Sequence, residues 1–254
     1  MLIASMAAIW ARRATLQQVV DSLLAQTRPP QAVLIHYSDE PWHLDDGWTQ
    51  PPVLRSHPAI ELVKVPNRGS CRKFLFALAS CAGGDDTIVL VDDDRAWHPT
   101  VVERVVQFVS TSDRVATTRG WSKYATGVDG AGALTFHTLP IHGTQVSEPT
   151  PVHVASSGWA TCFRRKDVEA ALFSESLQEE FQLRYSDEVF LSAMLRPTIC
   201  VVPMPSGYLS ELASPVDQWR SCETSAAKVA QLELLKRYKV PSTASRSDSD
   251  SLSV

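Results

Sequence analysis

The chain reads as an α/β protein with a mainly parallel central sheet covered by helices on both faces. Two observations predict this. Through the first hundred residues, short apolar runs alternate with segments of helical periodicity, the pattern of strands joined by crossover helices. One of the runs, "TIVLV", also drives directly into three consecutive carboxylates, Asp92, Asp93 and Asp94. In open sheets of this kind ligands bind at the carboxyl ends of the strands, which is where this triplet falls.

Taken in order, Leu2–Ile9 is the first strand. "TLQQVVDSLLAQT" follows as a helix, with Leu16, Val19, Val20, Leu23 and Leu24 on one face. Pro29-Pro30 stops it, and "AVLIHYS" is the second strand. "WHLDDGWTQPPVLRSHP" is a polar, turn-rich loop and "IELVKV" a third strand. Ser70 is placed to cap the helix "CRKFLFALASC", which Gly83-Gly84 ends. Pro99 opens a helix with Val101, Val102, Val105, Val106 and Val109 along one stripe. From Val115 to Trp159 only strands and loops are expected. Helices over Lys166–Phe173 and Ser186–Leu195, a strand "TICVVPM" and a last helix "SAAKVAQLELLKRY" complete the series. The Ser/Asp-rich stretch 241–254 lacks apolar periodicity and is expected to be disordered. Residues 1–240 then form one domain, with 1–110 as a nucleotide-binding half and 111–240 as an acceptor half.

Composition narrows the function. With 254 residues, 44% hydrophobic, the chain can bury a full core. A net charge of -4 offers no basic surface for nucleic acid. No apolar run reaches the roughly 20 residues of a membrane span. "MLIASMAAIW" lacks the basic flank and cleavage site of a signal peptide. Five widely spaced cysteines without a CxxC pair suit reduced thiols and a cytoplasmic location.

Three adjacent carboxylates repel one another unless cations or donors offset them. Mg²⁺ and Mn²⁺ prefer oxygen ligands and often take one or two carboxylates, leaving the other positions to phosphate and water. A phosphatase of the haloacid-dehalogenase type fits poorly, because Ala96 stands where such enzymes carry Thr or Val. A second acidic pair, Asp187-Glu188, begins a helical stretch, where first-turn acids also stabilise the helix by themselves.

Four segments carry a resemblance: "RRATLQQVVDSLLAQTRPPQAVLIHYS", "VKVPNRGSCRKFLFALASC…DDTIVLVDDD", "SSGWATCFRR" and "YSDEVFLSAML". In this order the chain resembles GT-A-fold glycosyltransferases, family-2-like and exostosin-like, over about residues 1–110 and 155–200. The resemblance implies a mainly parallel sheet with a smaller mixed region on the acceptor side. It implies transfer of a sugar from a nucleotide-diphosphate sugar, a UDP-sugar by preference, to a glycan or other hydroxyl acceptor with inversion. Asp94, with Asp92, would hold Mn²⁺ or Mg²⁺, while Asp92 and Asp93 face the ribose or sugar. Ala4, Ser5 and Arg13, with Arg12 as rival, would line the nucleotide. Asp39 would meet the base, Gly69 the base or ribose, and Lys73 the phosphate. Gly158 and Trp159 would position the acceptor, and Asp187 or Glu188 would supply the base. No His follows His153 to serve as a second metal ligand, so either Asp94 alone holds the metal or another group such as Glu211 substitutes. Contact with a membrane-linked acceptor stays open. Two other readings remain. A sugar-phosphate nucleotidyltransferase shares the architecture but carries a Gly-rich stretch after the first strand, which "ASMAAIWARR" lacks. An inactive carbohydrate-binding module would have no need of both acidic clusters.

Overall fold

The computed structural model describes residues 1–42, 45–122, 125–128, 134–137, 140–169 and 187–213. The strands are β1 (Leu2–Ala7), β2 (Ala32–Tyr37), β3 (Ile60–Lys64), β4 (Thr87–Val91), β5 (Arg95–Trp97), β6 (Val115–Thr117), β7 (Arg119–Trp121) and β8 (Ala125–Val128). They continue as β9 (Leu134–His137), β10 (Pro140–His142), β11 (Thr150–Val152), β12 (Val154–Ala155), β13 (Trp159–Arg164), β14 (Ile199–Val201) and β15 (Leu209–Glu211). The helices are α1 (Leu16–Leu24), α2 (Arg72–Ser80), α3 (Val101–Thr111) and α4 (Glu188–Met194).

The central sheet runs in the order β11-β14-β6-β13-β4-β1-β2-β3. Its half formed by β4, β1, β2 and β3 is parallel throughout. Neighbouring residues of each strand go to opposite faces, as the pleat requires. Ala4, Met6, Val33, Ile35, Val89 and Val91 join Val19 and Leu23 of α1 and Val102 and Val105 of α3 in one core layer. Ile3, Leu34, Ile88 and Leu90 join Phe74 and Leu78 of α2 and Phe190 and Leu191 of α4 in the other. Burial on both faces explains why these strands read as unbroken apolar runs.

Strand β13 runs antiparallel to β4, with Trp159 opposite Val91 and Arg164 opposite Thr87. The start of β13 therefore lies at the carboxyl end of β4, against the aspartate triplet. A register shift falls between Trp159 and Thr161, and Ala160 has a left-handed backbone, φ 50°. Bulges of this kind re-aim side chains at the rims of sheets.

Local details differ from the sequence reading. Helix α2 begins at Arg72 with Cys71 in the cap position, not at Ser70. Gly69, at φ 61°, donates its N–H to Asn67 Oδ1 at 3.1 Å, so Asn67 organises this turn. The same helix ends at Ser80, before Gly83. Pro99 lies outside α3, because its carbonyl accepts the Thr27 N–H at 2.7 Å. Where a helix over Lys166–Phe173 was expected, Arg165–Asp167 forms one 3-10 turn and Val168 bridges to Leu195. The Asp167 carboxylate takes the Arg164 N–H at 2.8 Å, which closes the turn. Strand β5 had no local signal, since it forms only by pairing with β15 far along the chain. Residues 170–173, Ser186, the helix at 225–238 and the stretch 241–254 lie outside the described residues.

Candidate active site

The triplet follows β4, and each of its carboxylates has its own partners. Asp93 is buried and accepts the Ile9 N–H at 3.0 Å and Arg12 Nη1 at 2.7 Å. Asp94 is held by Arg12 Nη2 at 3.0 Å and Arg95 Nη1 at 3.1 Å. Asp92 accepts Lys73 Nζ at 2.8 Å and also meets Arg95 Nη1. Three cations thus receive the three carboxylates, which is how like charges persist in one turn.

The surroundings set the protonation states. Burial would raise Asp92, but Lys73 and Arg95 outweigh it and hold this carboxyl below the usual range. Asp94 is pushed up to about 6 by burial and by Asp92, against the pull of Arg12 and Arg95. Burial disfavours charge on Lys73, yet Asp187 and Asp92 hold its amine above the usual value.

Lys73 also reaches Asp187, with Nζ 3.0 Å from Oδ2. One amine therefore joins the triplet to the second acidic pair. Asp187 is buried and accepts Ser157 Oγ at 2.6 Å. Glu188 accepts Ser156 Oγ at 2.6 Å, and burial together with Asp187 pushes its carboxyl up to about 8. Ser156 and Ser157 belong to the turn leading into β13, so the "SSGW" stretch ties the acid pair to the sheet. Gly158 lies in the same turn. A Cβ built there would stand 1.9 Å from Asp92 Cγ. No side chain fits between β13 and Asp92.

A cleft open to solvent runs from Asp92 and Asp93 past Arg12, Lys73 and Gly69 to a polar end at Asp45, Asn67 and Arg72. There Arg72 Nη2 meets Asp45 Oδ2 at 2.9 Å in a pair that is almost wholly buried. Ser5 supports the cleft from beneath, donating Oγ to the Lys73 carbonyl at 2.5 Å. Ala4 lies in the core layer under the cleft. Arg13 points away and stacks over Trp10 at 4.3 Å. Asp39 is exposed and paired with Lys64 at 2.6 Å, off the cleft wall. On the other side of the triplet the Trp159 ring lies beneath two guanidinium groups, Arg95 at 4.6 Å and Arg119 at 4.7 Å.

The sequence reading missed Arg72, Arg95, Asp45, Arg119 and the two serines. Arg95 and Arg72 were within reach, since each adjoins a named residue. Asp45 sits in a turn sequence with nothing to mark it.

Two carboxylates face one point, and a divalent cation held there would have to displace Arg95 from them. Asp92 and Asp94 already converge on one positive nitrogen, Arg95 Nη1. Hard carboxylate oxygens gathered around one point of positive charge are what Mg²⁺ and Mn²⁺ take, with water and phosphate completing the shell. Among the described residues, no group of three or more His, Cys, Asp or Glu side chains could hold a metal ion.

A family model described as "Glycosyltransferase like family 2" matches residues 3–200. A comparison with curated proteins returned no match. Among solved structures, TarS 1–349 of S. aureus in complex with UDP-GlcNAc is 13% identical with a TM-score of 0.52, over 92% of this chain and 67% of that one. The same protein in complex with UDP gives 12% and 0.51, over 94% and 67%. The 2-C-methyl-D-erythritol 4-phosphate cytidylyltransferase of Francisella tularensis gives 10% and 0.50, over 85% and 94%. At these identities the likeness shows a shared fold, the GT-A arrangement. Among the described residues no helix is long and apolar enough to cross a membrane.

Proposed function

The chain belongs to the glycosyltransferase-like family 2, and from that premise we propose that it transfers a sugar from a UDP-sugar to a hydroxyl acceptor with inversion at the anomeric carbon, in the cytoplasm. Residues 1–110 would bind the nucleotide and 111–240 the acceptor. The observation that carries the reading is Lys73, which joins a phosphate-facing carboxylate, Asp92, to the acid pair Asp187-Glu188 across a gap kept open by Gly158.

The cleft suits a nucleoside diphosphate, with the nucleoside toward Asp45, Asn67 and Arg72 and the diphosphate toward the triplet. Asp92 and Asp94 would hold Mn²⁺ or Mg²⁺. A bound divalent cation neutralises charge developing on a diphosphate leaving group. Arg12, Lys73 and Arg95 add positive charge on the same side, where it favours departure of the nucleotide. In-line attack needs a base on the opposite side of the anomeric carbon. Asp187 is tied to Lys73 and Ser157, so its carboxylate is committed. Glu188 keeps one oxygen without a described hydrogen-bond donor and has a raised proton affinity, so it takes the role of base.

A nucleotidyltransferase would present free backbone N–H groups to a triphosphate after β1. Here the Ile9 N–H is bonded to Asp93 and the Trp10 N–H to Asp45 at 3.2 Å. The reaction class is testable by calorimetric titration of UDP with and without Mn²⁺. Tight binding of UDP in the presence of Mn²⁺ is expected, and Asp94→Ala should weaken it about tenfold or more while the melting temperature holds. Unchanged affinity in that variant would remove Asp94 from the phosphate end.

A further inference from the structure

Arg119 takes no part in the steps above. It opens β7, where its carbonyl accepts the Ser156 N–H at 2.9 Å, and the neighbouring Thr118 donates its N–H to the Trp159 carbonyl at 3.1 Å. Those bonds fix Arg119 beside the stretch whose Ser156 hydroxyl meets Glu188. Its guanidinium lies over two rings, Trp159 at 4.7 Å and Trp121 at 5.1 Å. His142 stands edge-on to Trp159 at 5.2 Å.

Arg12, Arg72 and Arg95 each meet a carboxylate. Arg119 meets none within 4.0 Å among the described residues, its side chain has no hydrogen-bond acceptor there, and its buried Nε has no partner. Glu188, Glu211 and Tyr208 act on it only through space, and Arg95 repels it. Burial and that repulsion lower its proton affinity. Two aromatic faces offset part of the cost of an unpaired cation, but planar N–H donors remain without an anion to receive them.

We propose that Arg119 binds an anionic group of the acceptor, a phosphate or carboxylate carried on a sugar or polyol. The inference rests on the proposed transferase reading and names its acceptor class. The acceptor is favoured over the donor because Arg119 lies beside Ser156 and the base Glu188. The diphosphate end of the cleft has its own cations, and Arg119 is not on its wall.

The test uses the whole chain saturated with UDP and Mn²⁺, so that the diphosphate end is filled. Glycerol 3-phosphate and glucuronate are titrated against their neutral counterparts, glycerol and glucose, with binding followed by ligand-observed NMR. One charged probe should bind about ten- to a hundredfold more tightly than its neutral counterpart, and the pair showing the gap tells phosphate from carboxylate. Arg119→Gln should erase the gap, and Arg119→Lys should keep part of it, since an ammonium keeps charge but loses the planar fork. Equal binding of charged and neutral probes by the unsubstituted protein would overturn the proposal without recourse to any variant. A gap that survives in folded Arg119→Gln, or disappears only in Arg95→Gln, would overturn it as well. If UDP itself does not bind, the transferase reading fails and the inference falls with it; if UDP binds and no gap exists, only the inference fails.

Discussion

Glu188→Gln is expected to keep UDP affinity and lose about 10²–10⁴-fold in transfer rate. The amide matches the carboxyl in shape and keeps an oxygen for Ser156 Oγ, but it cannot take a proton from the acceptor hydroxyl. The raised proton affinity adds a pH signature. With its carboxyl pushed up to about 8, Glu188 is largely protonated at neutral pH, so the rate should climb about tenfold per unit below that value and level off above it. Stability should move the other way. The folded protein keeps this proton between about 4.5 and about 8, whereas the unfolded chain releases it, so folding weakens as pH rises through that window. Glu188→Gln should flatten both profiles. Normal turnover in the variant, with an unaltered pH–rate curve, would leave Glu188 as a helix-start residue only.

Gly158→Ala should be nearly as damaging, for a steric reason. The new methyl would stand 1.9 Å from Asp92 Oδ2 and 2.0 Å from Oδ1, so Asp92 or the start of β13 must move. Movement of Asp92 breaks its contacts with Lys73 and Arg95. Overpacking of this kind costs about 1–3 kcal/mol of stability. Displacement of a reacting-site group by about 1 Å can cost 10²-fold in rate. Gly83→Ala is the control, since nothing lies within 4 Å of its added Cβ. Melting curves and transfer rates for both variants decide the matter. A fully active Gly158→Ala protein would mean that the position of Asp92 is unimportant.

The parallel half of the sheet was legible because burial on both faces leaves apolar runs that need no partner to be recognised. Helices α1 and α3 were legible for a related reason, since their Val and Leu stripes record one buried face. The triplet stood out because a buried strand running into carboxylates is physically conspicuous, and the acid pair because it opens an apolar helical stretch. What the sequence hid was pairing at a distance. The bond of Arg95 to Asp92 and Asp94 depends on how one side chain folds back, and β5 exists only through β15. Asp39 and Asp45 illustrate the same limit. Both lie in polar loop sequence, yet Asp39 is exposed beside Lys64 whereas Asp45 is buried against Arg72. No local pattern separates them, because the difference lies in where the loop after β2 is drawn by a cation in α2. The Ser70 cap failed for a smaller reason: Asn67 and the left-handed Gly69 had already organised the turn.

The double contact of Lys73 has a consequence for how changes in this protein combine. Its amine touches Asp92 on one side and Asp187 on the other, so each acid sets the electrostatic background of the other. Effects of substitutions add when sites are independent, and deviate by about 0.5–3 kcal/mol when they share a partner. Asp92 and Asp187 share one. The effect of replacing either acid will therefore depend on whether the other is present, and variation drifting into one cluster changes which residues the other can tolerate. The triplet and the acid pair are far apart in sequence but epistatically joined through one buried nitrogen.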